Sequence, residues 1–202
     1  MDADPAVAHR YFILYKPVDM VSQFRSVDTV RLLGSIDFVF PEGTHAIGRL
    51  DKDSEGLLLL TTDKTITRRL FNSGVKHARR YLVQVRFSVG PDTLAQLACG
   101  VRISASGGKD YLTAPCEVEL LSEPPLLPPP AVPIHPLVPH SWLRMTLTEG
   151  RYHQVRKMVS AVRHNCLRLV RESVEAISIG DMQPGDVREL TRDDFYRQLK
   201  LD

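Results

Sequence analysis

The sequence is short of several things, and each shortage excludes something. Its 202 residues include only three cysteines, Cys99, Cys116 and Cys166. That odd number at long spacings fits neither a disulfide framework nor a zinc knuckle, and a reducing cytoplasm is the expected home. No apolar run without proline extends beyond a handful of residues around Leu57–Leu60, whereas a membrane span needs about 20. The opening Met1-Asp2-Ala3-Asp4-Pro5 is acidic and has no apolar core, so it does not read as a secretory signal. Hydrophobic residues make up 43% and charged residues 25%, near the globular average, which sets aside disordered and collagen-like chains.

Acidic residues are missing where the bases gather. From Lys64 to Arg86 there are seven bases and no acid, and from Ser141 to Arg171 seven bases stand against Glu149 alone. Ten acids lie within Met1–Asp63 and eight within Glu172–Asp202, so a net charge of only +2 conceals two basic blocks. Phosphate binding depends on such local fields rather than on the total.

Familiar chemical motifs are also absent. Asp51-Lys-Asp53-Ser-Glu55-Gly56 begins like a calcium loop, but the twelfth position is Thr62 and the second half is the apolar Leu57–Leu60. Gly107-Gly108-Lys109 lacks the hydroxyl residue of a phosphate loop, since Asp110 follows the lysine. There is no H-E-x-x-H and no G-x-S-x-G. No metal, nucleotide cofactor or serine-nucleophile chemistry is indicated.

The pattern along the chain is α+β with a mixed, mostly antiparallel sheet. Strands are expected over Arg10–Lys16, Leu57–Leu60, Tyr81–Phe87, Leu112–Leu121, Trp142–Thr148 and Leu167–Ile179. In the third of these, Tyr81, Val83, Val85 and Phe87 should face the core while Gln84 and Arg86 face out. Helices are expected near Val27–Leu33, from Asp63 to Phe71, and over Pro91–Ala98 ahead of Gly100. Two more are expected over His153–Arg163, where Val155, Met158, Val159 and Val162 make one apolar face, and over Arg192–Leu199 behind Thr191. Glu123–His140 carries eight of the fourteen prolines and reads as a semi-rigid connection between two fused halves. Residues 1–9 are expected to be a disordered tail and 10–202 one catalytic domain.

One motif stands out, Gly48-Arg49-Leu50-Asp51, which places a carboxylate on a tight loop beside a buried strand. Arg80-Tyr81 adds an aromatic face next to positive charge. Glu149-Gly-Arg-Tyr-His-Gln-Val-Arg156 runs from a strand end into a basic helix face. With Phe12–Pro17, Ala46–Asp63, Tyr81–Val85, Ser141–Met158 and Leu167–Arg171 in this order, the chain resembles the RsuA-type ribosomal RNA pseudouridine synthases, most closely their compact RluE-like branch. The resemblance spans residues 11–190.

The resemblance implies the pseudouridine synthase fold and isomerisation of a uridine in ribosomal RNA, that of the large subunit for the RluE-like branch. It implies no cofactor and no metal, and action as a monomer on an RNA stem-loop. It makes Asp51 the catalytic aspartate, Tyr81 the active-site aromatic and Arg156 the basic partner of Asp51. Arg49 would enter the RNA stem where the target base leaves it. Arg80, Arg151, His153, Gln154 and Lys157 would contact RNA, and Leu169 would pack against Tyr81. Two positions depart from the family pattern: Asp19 replaces a glycine after Lys16-Pro17-Val18, and Lys64 replaces one after Asp63. The small N-terminal S4 module of many relatives has no counterpart ahead of the first strand. Whether Asp51 attacks sugar or base or removes a proton stays open here, as does a non-catalytic RNA-binding role, which intact Asp51, Tyr81 and Arg156 disfavour.

Overall fold

A computed structural model of the chain describes residues 9–72, 74–104, 109–135 and 137–201. Apart from His9, the expected tail lies outside the described residues, as does the Gly107-Gly108 turn.

Three strands build the first half of the main sheet. β1 (Tyr11–Lys16) pairs antiparallel with β3 (Glu55–Thr61), and β2 (His45–Ile47) adds to the other side of β3. Every residue of β1 and β3 is buried, and the two-residue period of a strand explains how. Tyr11, Ile13, Tyr15, Leu57 and Leu59 point to one face, where they pack on α1 (Ile66–Asn72) and α4 (Arg192–Leu199) through Ile66, Leu70, Phe195 and Leu199. Phe12, Leu14, Leu58 and Leu60 point to the other face. That face has no helix over it.

It is covered by the irregular segment 17–44, which contributes Met20, Leu33 and Ile36, with Phe24, Phe38 and Phe40 packed edge-on around Phe12. Each such buried side chain is worth about 1.5–3 kcal/mol, enough to hold a loop in place of a helix. The helix expected near Val27–Leu33 does not form. Only a single 3-10 turn, Leu33–Ser35, is present, because these residues are spent on covering a sheet face rather than on a helical stripe.

The second half centres on β4 (Arg79–Arg86), flanked by β8 (His140–Leu147) and β9 (Cys166–Val174), both antiparallel to it. β7 (Glu117–Leu121) forms one edge beside β8, and β11 (Val187–Leu190) forms the other beside β1. β10 (Ile177–Ser178) pairs back on β9. Val83, Val85, Leu143, Met145 and Leu169 pack under α2 (Pro91–Cys99) and α3 (Gln154–Ala161) through Leu97, Val155, Met158 and Val159.

β4 is more deeply embedded than its alternation suggests. Gln84 is buried, not solvent-facing, and the chain turns at Phe87, which has φ 72° and is half exposed. The single strand expected over Leu112–Leu121 is two. β6 (Asp110–Leu112) pairs with β5 (Arg102–Ser104) in a separate small sheet, and β7 joins the main one.

The order across the main sheet is β11-β1-β3-β9-β4-β8-β7. The halves join where β3 meets β9, the one parallel pairing among the described strands. Gly56 makes this approach possible. It has φ +100°, and a Cβ there would lie 2.5 Å from the Arg171 carbonyl oxygen. Beside it, the buried Arg168 guanidinium donates to both Glu55 oxygens at 2.7 and 3.3 Å. Among the described residues no helix is long and apolar enough to cross a membrane.

Candidate active site

A cleft of about 890 Å³ opens across the junction of the two halves. One wall is the turn that carries Asp51. Gly48, with φ +72°, reverses the chain ahead of it, the Ser54 N–H closes the turn on the Asp51 carbonyl at 3.0 Å, and further supports come from the irregular segment, β1 and α3. Ser22 Oγ donates to the Leu50 carbonyl at 2.9 Å and accepts from the Leu50 N–H at 2.9 Å. The Asp19 N–H donates to the Lys52 carbonyl at 2.9 Å. Asp19, at the position where the resemblance leads one to expect glycine, takes φ +58°, the left-handed conformation that glycine adopts freely. Asp tolerates it better than most residues, and its carboxylate pairs with Lys52 Nζ at 3.0 Å.

Lys16 completes the support, and the sequence reading overlooked it. Its Nζ is fully buried at the end of β1 and donates to the carbonyls of Pro17 and Met20, each at 2.7 Å, with Lys52 at 3.5 Å. Burial pushes its pKa down to about 8. The charges of Glu55 and Asp51 oppose the shift, and Arg171 adds to it.

Facing Asp51 is the loop between β8 and α3. His153 Nε2 lies 3.5 Å from Asp51 Oδ1, on a residue held at φ +53° directly ahead of α3 and stacked on Tyr152 at 3.9 Å. The loop is braced from below by Glu149. Its carboxylate accepts from Tyr111 at 2.5 Å, from the Ala114 N–H at 2.9 Å and from Gln154 at 2.6 Å. Burial alone would raise the pKa of Glu149; these donors outweigh it and hold the group below its usual range. Gln154 in turn accepts from the Arg151 N–H, and the Arg151 side chain lies over the Tyr111 ring at 4.3 Å.

The floor comes from β4 and β9. Tyr81, Leu169 and Arg171 line the cleft, and Tyr81 and Leu169 belong to one hydrophobic cluster. The Arg171 guanidinium is buried, with Nε donating to the Leu57 carbonyl at 2.7 Å. Burial lowers its pKa, while the Tyr81 hydroxyl and the Asp51 charge favour the ion. A guanidinium keeps its proton in such surroundings, so Arg171 supplies fixed positive charge beneath Tyr81 and Asp51.

Several expectations need correction. Arg156 forms no ion pair with Asp51. Its Nη2 donates instead to the Asp53 carbonyl at 2.6 Å, so from α3 it grips the backbone of the Asp51 turn and not the carboxylate. Arg80 points away from the cleft, 3.9 Å from Glu172, and its neighbour Arg79 lines the cleft in its place. Lys157 also lies off the cleft wall, with Nζ donating to the Ser104 carbonyl at 2.7 Å. The two basic blocks meet at the cleft, which Lys76 and Arg79 line from the first and Arg151 and Arg171 from the second, while Arg168 and Arg144 are engaged by Glu55 and by Glu119 and Glu172. Arg49, Arg151, His153 and Gln154 do line the cleft with Asp51. No cluster of described residues is arranged to hold a metal ion.

The chain belongs to the RNA pseudouridylate synthase family, whose model matches residues 10–161, and the sheet and cleft described above are its framework. Within the family it is similar to the ribosomal large subunit pseudouridine synthase E of Vibrio vulnificus, 36% identical over 188 residues that cover 92% of this chain and 77% of the relative. The enzyme of the same name from Xanthomonas campestris is 39% identical over 178 residues, covering 87% and 92%. The ribosomal small subunit pseudouridine synthase A of Salmonella typhimurium is 34% identical over 187 residues, covering 92% and 72%. A crystal structure of a pseudouridylate synthase superposes with a TM-score of 0.76 at 27% identity, over 95% of this chain and 74% of that one. The fold, the family and the enzyme class expected from the sequence are therefore established.

Proposed function

We propose that this enzyme converts a specific uridine of large-subunit ribosomal RNA to pseudouridine, with Asp51 as the catalytic carboxylate. The relatives named above support ribosomal RNA as the substrate class, and the large-subunit enzymes are the more similar of them. One observation carries the assignment of Asp51. It is the acid set in the cleft wall whose turn is gripped by Ser22, Asp19 and Arg156, with Lys16 Nζ 3.5 Å from the Lys52 carbonyl. Such rigidity suits a group that must meet a reacting atom within a fraction of an ångström.

The reaction breaks the bond between uracil N1 and the sugar C1′, turns the base and rejoins it through C5, with the C5 hydrogen leaving as a proton and N1 taking one up. Neither redox chemistry nor phosphoryl transfer is involved. The target base is inaccessible in a stacked helix, so it must swing out into the cleft. Arg49, exposed at the rim, is suited to fill the space it vacates. Tyr81 offers a ring face to the uracil, and Arg171 beneath it offsets negative charge that develops as the glycosidic bond breaks. His153, 3.5 Å from Asp51, is within reach to take or return a proton. Arg151 and Gln154 shape the wall opposite.

Asp51→Asn tests the proposal directly. The variant should fold and bind an in vitro transcript of the host large-subunit RNA as the wild type does, yet release no tritium from uracil labelled at C5. Undiminished release would remove Asp51 from the mechanism. Pseudouridine mapping in cells lacking the protein then identifies the site, and a loss confined to the small-subunit RNA would redirect the substrate assignment.

A further inference from the structure

The cleft has a second wall that the chemistry above does not use. Gly48 lies so close to Phe71 that a Cβ there would meet ring Cζ at 3.0 Å. The Arg79 guanidinium lies over the same ring, 5.1 Å from its centroid. Gly150 abuts that guanidinium in turn, since a Cβ built on it would be 3.3 Å from Nη1. Gly48, Phe71, Arg79 and Gly150 thus form an unbroken string from the Asp51 loop to the Glu149–Gln154 loop, and all four line the cleft.

Arg79 shares with Arg49 and Arg151 a guanidinium without a protein acceptor among the described residues, and of these three it is the one with a nitrogen screened from solvent. Arg168, Arg171 and Arg156 all donate to protein oxygens. Arg79 makes no hydrogen bond or ion pair among the described residues, and its Nη1 is screened from solvent without a partner. An orphaned charged donor on a cleft wall is an anion site awaiting its anion. The same wall carries Lys76 and His77, and both ring nitrogens of the buried His77 are likewise without a hydrogen bond. The nearest acid to it, Glu175 at 3.5 Å, is already engaged by the Ala78 N–H and by Lys200. Space is available as well. A cleft of about 890 Å³ lies near the upper end of the range of about 300–1,000 Å³ for single small ligands, so one extruded nucleotide does not exhaust it.

We propose that Arg79 binds the backbone phosphate of the nucleotide adjoining the extruded uridine, with Phe71 as the platform that holds the guanidinium flat. This rests on the RNA-isomerase reading above and extends it to the substrate's flank. A phosphate contact fixes the register of the strand, so the target uridine and not its neighbour stands over Asp51. With Nη1 against Gly150, Nε and Nη2 are the nitrogens left for a phosphate, which a planar fork engages better than a point charge.

The test uses the Asp51→Asn chain binding an in vitro transcript of the host large-subunit RNA, with affinity measured across salt concentrations. Because no turnover is needed, its outcome is separable from failure of the isomerase assignment. Arg79→Gln should bind about tenfold more weakly at low salt. Its slope of log affinity against log salt should be shallower by about 0.7–0.9, the signature of one lost phosphate contact. Arg79→Lys should restore the slope. In the active enzyme, Arg79→Gln should raise KM with little change in kcat. Gly150→Ala, which nudges the guanidinium by a few tenths of an ångström without altering its charge, should raise KM with the slope retained. That variant keeps the test open if Arg79→Gln fails to fold. Arg197→Gln, on α4 away from the cleft, should leave the slope unchanged. A wild-type slope in a folded Arg79→Gln, or an unaltered KM in Gly150→Ala, overturns the proposal.

Discussion

Replacing Lys16 with methionine should separate stability from activity. The buried ammonium costs the fold something: depression of its pKa from 10.5 to about 8 corresponds to about 3 kcal/mol against the charged form. Methionine relieves that cost but strips the Pro17 and Met20 carbonyls of their donor, at about 1–3 kcal/mol each. The two effects oppose, so urea denaturation at pH 7 should show a net change between a gain of about 1 and a loss of about 3 kcal/mol. Activity has no such compensation. The Met20 and Lys52 ends of the Asp51 support come loose together, and a misplacement of about 1 Å costs on the order of 100-fold in kcat.

The pH dependence sharpens the case. Below pH 8 the lysine holds its proton in both folded and unfolded chains. Between about 8 and 10.5 the unfolded chain holds the extra proton, so this group makes stability rise with pH over that window. Over the same window the ammonium discharges in the folded enzyme and its grip weakens, so kcat/KM should fall with an apparent pKa near 8. Tritium release measured from pH 6 to 10 gives one curve and urea midpoints give the other. In Lys16→Met both trends should vanish. An alkaline limb near pH 8 that persists in the variant would belong to the uracil or to another group, and a near-normal kcat would show that Lys16 does not position Asp51.

Other parts of the structure make equally direct predictions. Gly56→Ala combines a left-handed φ with a Cβ 2.5 Å from the Arg171 carbonyl oxygen. It should lose about 3 kcal/mol or more in urea denaturation, and a loss below about 1 kcal/mol would mean that β3 and β9 can part without consequence. Arg168→Met strands the buried Glu55 carboxylate and should cost about 3–5 kcal/mol, whereas the double variant Glu55→Leu/Arg168→Met should recover most of it. The carboxylate of Glu149 is held below its ordinary pKa, so its contribution is complete above about pH 4.5 and disappears as the pH falls through the lowered folded value. Glu149→Gln should flatten that part of the acid unfolding curve, and an unchanged curve would show that the Tyr111 and Gln154 contacts contribute nothing to stability.

Much of this was legible in the chain, and the parts that were not share a cause. β1 announces itself through β-branched and aromatic residues stopped by Pro17, β3 through a continuous apolar run, and the apolar face of α3 through its helical period. The Asp51 loop stands out through the company of Arg80-Tyr81 and Glu149–Arg156 and the family resemblance they carry, since a carboxylate beside a glycine turn is by itself ordinary turn chemistry. Local pattern favours Arg79 over Arg80, because Arg79 shares the strand face of Tyr81 and Arg80 lies on the other. It could not show which distant side chains meet the Asp51 loop. Nor could it show that Arg156 reaches the Asp53 backbone, or that Arg171 sits beneath Tyr81, because both depend on pairings between distant strands. Lys16 was hidden by its type. Lysine is rarely wholly buried, and only the convergence of three carbonyls on Nζ explains one here.

The junction of β3 with β9 has an implication for how the molecule is made. Arg168 and Glu55 are 113 residues apart in the chain and Arg171 and Leu57 are 114 apart, yet the cleft exists only once they meet. During translation the Asp51 loop leaves the ribosome long before its floor does. A nascent chain therefore passes most of its synthesis with basic segments on display and no competent pocket. Contacts of such long range also form slowly, so capture of RNA by the finished enzyme should follow, and not precede, closure of the sheet.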